Sequence, residues 1–135
     1  MAKTNAFKIA ELIRGIQFDV DNDEITTTKK VKSKDRTSGN ATKTATTEFA
    51  LDTFVHADFR AARYVIAMSE GSDFHSTELV VVHDGSAVTL TQYGTMKSKS
   101  LATFDADISG SNLRLLCTPA SSSSTVVKFD RLTVD

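Results

Sequence analysis

From about residue 60 to the C-terminal end, apolar side chains recur at every second position in short runs broken by Gly, Asp or Ser. Seven such runs, at 64–68, 78–83, 88–93, 101–104, 113–117, 125–129 and 131–134, predict antiparallel strands. A strand alternates its side chains between two faces, and the polar clusters between runs reverse the chain. In the first run Tyr64, Ile66 and Met68 share one face while Val65 and Ala67 share the other. Residues 79–82, Leu-Val-Val-Val, are apolar on both faces, which suits either a central strand covered on both sides or a strand that gives one face to a subunit contact. Asp84-Gly85 marks a hairpin turn. Ser109-Gly110-Ser111-Asn112 marks a reversal from 105–108 into 113–117, and Pro119 with the serines at 121–124 marks another. The predicted class is mainly β: an antiparallel β-sandwich, jelly-roll-like, with a short N-terminal helix and an extended arm.

The first part of the chain follows other periods. Ile9, Leu12, Ile13 and Ile16 fall at i, i+3, i+4 and i+7 with Phe7 nearby, so the spacing predicts a helix over 5–14 with one apolar stripe. Thr4 or Asn5 caps its start and Gly15 its end. So short a helix needs a surface to cover, either its own β-domain or another chain. Ile16, Phe18 and Val20 then alternate as a short strand does, and Asp21-Asn22-Asp23 reads as a turn. Between 26 and 47 the only large apolar residue is Val31 among many Thr, Lys and Ser, too few to form a core. That segment is expected to be an extended arm or long loop ordered by its neighbours, with an added edge strand on another chain as the alternative. The division expected is an attachment segment over 1–45 and a β-sandwich over 46–135.

Charge sharpens this picture locally. The net charge is −1 over 135 residues, so no global attraction to nucleic acid or an anionic membrane is expected. Asp19, Asp21, Asp23 and Glu24 form an acidic patch, and Lys29, Lys30, Lys32, Lys34 and Arg36 follow with only Asp35 opposing them. Opposite blocks this close suit an arm laid against a neighbouring subunit. Phe7, Ile9, Leu12, Ile13, Lys29, Lys30 and Lys32 are therefore the candidate assembly contacts. The basic stretch has no aromatic residue on which a base could stack, which favours an acidic protein surface over nucleic acid. No segment approaches the length of a membrane-spanning helix or a signal-peptide core.

Candidate chemistry is sparse. Cys117 is the single cysteine, so no intrachain disulfide is possible, and its phase with Leu113 and Leu115 makes it a core residue. Asp19-Val20-Asp21-Asn22-Asp23 begins like a calcium loop, but Glu24 stands where such a loop needs Gly and Lys30 where it needs an acid. His56, His75 and His83 do not fall at zinc-ligand spacing, and the glycines sit at turns with no helix after them to cradle phosphate. Asp105 and Asp107 share a strand face with no further acid to complete a catalytic pair. No catalytic residue, cofactor or metal is expected. Tyr93, Phe74 and Asp84 near hairpin tips are the candidates for a sugar-binding patch, set against plain core and turn roles.

The run 62–66, then Glu70-Gly71-Ser72, then 78–86 with its His-Asp-Gly turn, resembles a module of tailed-phage virion structural proteins, especially those of marine cyanobacterial phages. The similarity continues through Tyr93-Gly94-Thr95, Phe-Asp-Ala-Asp-Ile-Ser-Gly at 104–110, 112–116 and Thr118-Pro119-Ala120, and covers about 60–134. Residues 6–13 also resemble leaders of such proteins. The resemblance implies a non-enzymatic fibre or tail component, located in the virion, with partners among sister chains as a homotrimer and among other virion proteins. A capsid decoration protein and a host-glycan-binding module are the alternatives, and a hydrolase of host surface polymers a further one. The family brings no catalytic residues to carry over.

Overall fold

The described residues are 16–19, 24–27 and 35–135 of a computed structural model, and the chain divides into two units, Met1–Ser33 and Lys34–Asp135. In the first unit β1 (Ile16–Asp19) and β2 (Glu24–Thr27) pair antiparallel, with Ile16 opposite Thr27 and Asp19 opposite Glu24. β1 lies where alternation predicted a strand. The helix expected over 5–14, the turn at 21–23 and the candidate contacts Phe7, Ile9, Leu12, Ile13, Lys29, Lys30 and Lys32 lie outside the described residues.

The second unit holds β3 (Arg36–Lys43), β4 (Phe49–Val55), β5 (Ala61–Glu70), β6 (Asp73–His83), β7 (Val88–Lys97), β8 (Ala102–Ser109), β9 (Asn112–Pro119) and β10 (Thr125–Val134). They form a five-stranded sheet, β3-β10-β5-β6-β7, and a three-stranded sheet, β4-β9-β8, with every neighbouring pair antiparallel. Consecutive strands β3 and β4 lie beside β10 and β9 in the two sheets, as in a jelly roll, while β5, β6 and β7 stay in one sheet as a meander. β5 and β10 alternate strictly between buried and more exposed positions. Their inward residues Tyr64, Ile66 and Val127 join Leu79 and Val81 of β6 and Leu113, Leu115 and Cys117 of β9 in one core. Full burial of each such Leu, Ile or Val contributes about 1.5–3 kcal/mol. The result is a mainly β, sandwich-like arrangement with no helix among the described residues.

Three differences from the sequence expectation have physical causes. Residues 36–43, expected within the arm, form edge strand β3 against β10. Its inward positions, opposite Arg131, Phe129 and Val127, are Thr37, Gly39 and Ala41, so the strand carries no apolar signal of its own. Gly39 is required there because a Cβ would stand 2.6 Å from the Phe129 ring. Residues 49–55 form β4, whose period is broken by a register shift between Ala50 and Asp52. Phe49 and Asp52 consequently both lie opposite inward residues of β9, Cys117 and Leu115. The runs 125–129 and 131–134 are one strand, continuous through Asp130, whose side chain turns outward to Arg36.

The bulge in β4 has a consequence in the core: it brings a carboxylate inward. Asp52 Oδ2 accepts from Arg131 Nη1 at 2.7 Å and from the Tyr64 hydroxyl at 2.9 Å, and Arg131 Nη2 donates to Thr37 Oγ1 at 3.2 Å. The pair is nearly dry, with side-chain exposures of 7% and 10%. Arg131 also lies over the Phe54 ring, 4.9 Å from its centroid, where a desolvated cation gains from the ring quadrupole. Burial, and after it the Asp52 charge, pushes the Tyr64 hydroxyl well above its ordinary pKa, so it remains a donor. One carboxylate of the small sheet is thereby tied to β10 and β5 of the large one.

Two outcomes follow. Asp52→Ala leaves the Arg131 cation buried without its partner and is expected to lower unfolding free energy by about 3–5 kcal/mol in urea melts. The double variant Asp52→Leu/Arg131→Met recovers most of that loss, since a well-packed apolar pair replaces a buried ion pair at little cost. Gly39→Ala is expected to lose about 1–3 kcal/mol by displacing the Phe129 ring, while Asn40→Ala on the exposed side of the same strand stays near wild type.

Candidate interaction face

The register places every outward side chain of the five-stranded sheet. One row across β10, β5, β6 and β7 is Val134, Ala61, Val82 and Thr89. The next, starting from β3, is Arg36, Leu132, Arg63, Val80 and Thr91, followed by Ser38, Asp130, Val65, Glu78 and Tyr93. Beyond it Lys128, Ala67, Ser76 and Met96 align, and Phe74 closes the corner opposite Ser69. The corner exists because Gly94 takes φ +61 and lets β7 gain a residue, which carries Met96 back to the outer face.

Seven of the eight exposed large apolar side chains among the described residues lie on this face: Val65, Phe74, Val82, Tyr93, Met96, Leu132 and Val134. The eighth, Val55, is on the other sheet. The charges between them are largely matched within the chain. Arg36 Nε donates to Asp130 Oδ2 at 3.0 Å and Arg63 Nη2 to Glu78 Oε2 at 2.8 Å. Arg63, and after it Tyr93, holds the Glu78 carboxyl below its usual pKa.

Other residues singled out by sequence have structural employment. Phe74 and Tyr93 share the outer face, but Asp84 does not join them. It sits in the β6–β7 turn, where its Oδ1 accepts from the Ser86 and Ala87 amides, both at 2.8 Å, and these bonds depress its pKa. Gly85, at φ +100, supplies the turn conformation that a side chain would resist. The adjoining cleft of about 290 Å³ is lined by His56, Arg60, His83 and Asp135 among others. His83 packs edge-on to His56 at 5.6 Å, a contact irregular spacing could not reveal. Both its ring nitrogens are occupied: Nε2–H donates to the Phe59 carbonyl at 2.6 Å and Nδ1 accepts from the Gly85 amide at 3.1 Å. Both ring nitrogens are thereby used in holding the Phe59 and Gly85 backbone.

Cys117 is buried in the core, which pushes its thiol up to about 12, far from the thiolate a nucleophile needs. Asp107 is paired with Arg114, Nε to Oδ1 at 2.8 Å, and not with Asp105. No group of three or more His, Cys, Asp or Glu side chains among the described residues could hold a metal ion. Among those residues no helix is long and apolar enough to cross a membrane.

A polar knot that sequence spacing did not flag closes the end of the sandwich beside Phe74. Glu70 Oε2 accepts from Ser121 Oγ at 2.7 Å and Thr125 Oγ1 at 2.9 Å, and its Oε1 from Lys99 Nζ at 3.0 Å. These bonds hold the Glu70 carboxyl at about 2. Nearby His75 is buried, with Nδ1 accepting from the Leu101 amide at 3.2 Å, and burial followed by the Lys97 charge lowers its pKa.

No family model matches the chain, and no curated protein matches it. Among solved structures, the tailspike protein of Acinetobacter baumannii phage AM24 aligns over 73% of this chain and 26% of its own, with 8% identity and a TM-score of 0.43. The Acinetobacter phage vB_ApiP_P1 tailspike aligns over 81% of this chain and 23% of its own, with 17% identity and a TM-score of 0.42. Tailspike gp49 of Acinetobacter baumannii bacteriophage Fri1, described as a capsular polysaccharide depolymerase, covers 99% and 22%, with 18% identity and a TM-score of 0.37. The chain therefore spans about a quarter of the length of these proteins, and with TM-scores below 0.5 none of them shows a shared fold.

The Glu70 knot has a pH signature. A carboxyl held near 2 when folded and near 4.5 when unfolded stabilises the native state fully above pH 4.5 and loses that contribution as pH falls toward 2. Thermal melts are expected to show wild type above Glu70→Gln at neutral pH, with the gap closing between pH 4.5 and pH 2. A gap independent of pH would mean the ionised carboxylate is not what the three donors hold.

Proposed function

We propose that this chain is a non-enzymatic structural protein of a tailed-phage virion, built into a fibre-like or tail-associated homotrimer. The observation that carries the reading is the concentration of exposed apolar side chains on one sheet face. A sheet face this rich in exposed apolar side chains suits a place where another macromolecule sits. The phage setting is supported by the resemblance of residues 60–134 to cyanophage virion modules. In this reading the leading segment, through Phe7, Ile9, Leu12, Ile13, Lys29, Lys30 and Lys32, attaches the β unit to the particle or to sister chains.

The absence of reaction chemistry in the reading rests on how the reactive side chains are employed. Cys117 is buried as a thiol, both nitrogens of His83 are engaged and Asp84 caps a turn. A host-glycan-binding role is the second reading, favoured by Phe74, Tyr93 and Met96 on one corner of the outer face, where aromatic rings stack on sugars.

Light scattering of the purified protein is expected to give three times the 14.6 kDa protomer mass, and antibody labelling of virions to decorate the tail. A protomer-sized particle contradicts the oligomer, and labelling confined to the head faces favours a capsid decoration role. Retention of wild type, but not of Phe74→Ala/Tyr93→Ala, on an array of bacterial surface glycans would establish the second reading.

A further inference from the structure

The outer face of the five-stranded sheet admits a more specific assignment, which rests on the homo-oligomer reading above. We infer that this face packs against sister copies of this chain, with Val65, Val82, Leu132 and Val134 in the contact. Three observations select a sister copy over other occupants.

The first is charge. The face carries Arg36, Arg63 and Lys128 against Asp130 and Glu78, and both acids already bond to an arginine of the same face. Two such faces meet without strong repulsion, and each keeps its ion pairs when it loses water. A polyanion would need a surplus of cations, and the face offers a surplus of only one.

The second is area. Five strands about 4.8 Å apart and ten residues of about 3.3 Å rise give a face of roughly 24 by 30 Å, or about 700 Å². Stable interfaces bury about 800 Å² per partner, so covering this one face nearly suffices.

The third is the arrangement of residues on the sheet. Val134, Ala61 and Val82 form a continuous apolar row at one end of the face, with Leu132 and Val80 adjoining it in the next row. The ion pairs Arg36–Asp130 and Arg63–Glu78 run between these residues and Val65, so a contact that covers the face covers charges already matched within the chain.

The test uses the full chain and three single variants: Val65→Glu and Leu132→Glu on the face, and Val55→Glu on the outward side of the other sheet. All three positions are exposed in the protomer, so circular dichroism and melting of the dissociated chain should match wild type. Sedimentation over a concentration series is expected to show that either face variant raises the dissociation constant at least about tenfold, because it places an unpaired carboxylate in the contact. Val55→Glu is expected to leave the constant unchanged. An oligomer that survives both face variants overturns the assignment while leaving the homo-oligomer reading intact, as does dissociation by Val55→Glu alone. A wild-type chain that stays at protomer mass at every concentration overturns both, and the face is then covered by the chain's own leading segment or by another virion protein.

Discussion

Two sheets with apolar inner faces adhere in many relative positions; one carboxylate removes most of that freedom. Asp52 on β4 reaches Arg131 on β10 and Tyr64 on β5, and Arg131 in turn reaches Thr37 on β3. A buried ion pair of this sort contributes little net stability against an apolar replacement, because desolvation offsets the attraction. Its value is selective: any slip of one sheet over the other leaves a charge in the core without its partner. The bulge at Leu51 serves the same end, since without it Asp52 would face solvent. Phe54, Phe129 and Gly39 then pack around a geometry already chosen.

With the inner faces committed, the two outer faces differ in kind. The small sheet turns Arg114, Asp105 and Asp107 outward beside one exposed valine, an ordinary solvated surface. The large sheet turns out aliphatic and aromatic side chains among ion pairs that are complete within the chain. The resemblance to virion modules and this asymmetry support the same account, in which the protomer is one part of a larger object. Reactive groups fit that account as well, because His83, Asp84 and Glu70 each spend their hydrogen-bonding capacity on loops and strand ends.

Strands announced by alternation were legible in the sequence: 64–68, 78–83, 113–117, 125–129 and 131–134 all lie within observed strands, and the grouped residues Tyr64, Ile66 and Met68, and Leu113, Leu115 and Cys117, are buried. The apolar character of 79–82 on both faces did not mean cover on both sides: Leu79 and Val81 are in the core, while Val82 is exposed. β6 is central in its sheet, and its outward valines lie on the exposed face. What stayed hidden did so for physical reasons. β3 faces inward through Thr, Gly and Ala because Phe129 fills the space, so its hydrophobicity belongs to its neighbour. β4 lacks a clean period because a bulge changes its phase. The buried Asp52–Arg131 pair and the Glu70 knot join residues 79 and up to 55 positions apart, beyond the reach of any local pattern. The exposed apolar face had one sign at 79–82, but its extent depends on strand register, which places Leu132 and Val134 beside residues far from them in sequence.

The central claim is that one sheet is a wall of its protomer's core on one side and a wall of the assembly on the other. Hydroxyl-radical footprinting of the full chain, concentrated and then diluted, addresses it residue by residue. The account predicts that Val65, Leu132 and Val134 label slowly when concentrated and fast when diluted, while Val55 labels equally in both. Equal labelling of all four at both concentrations would contradict it.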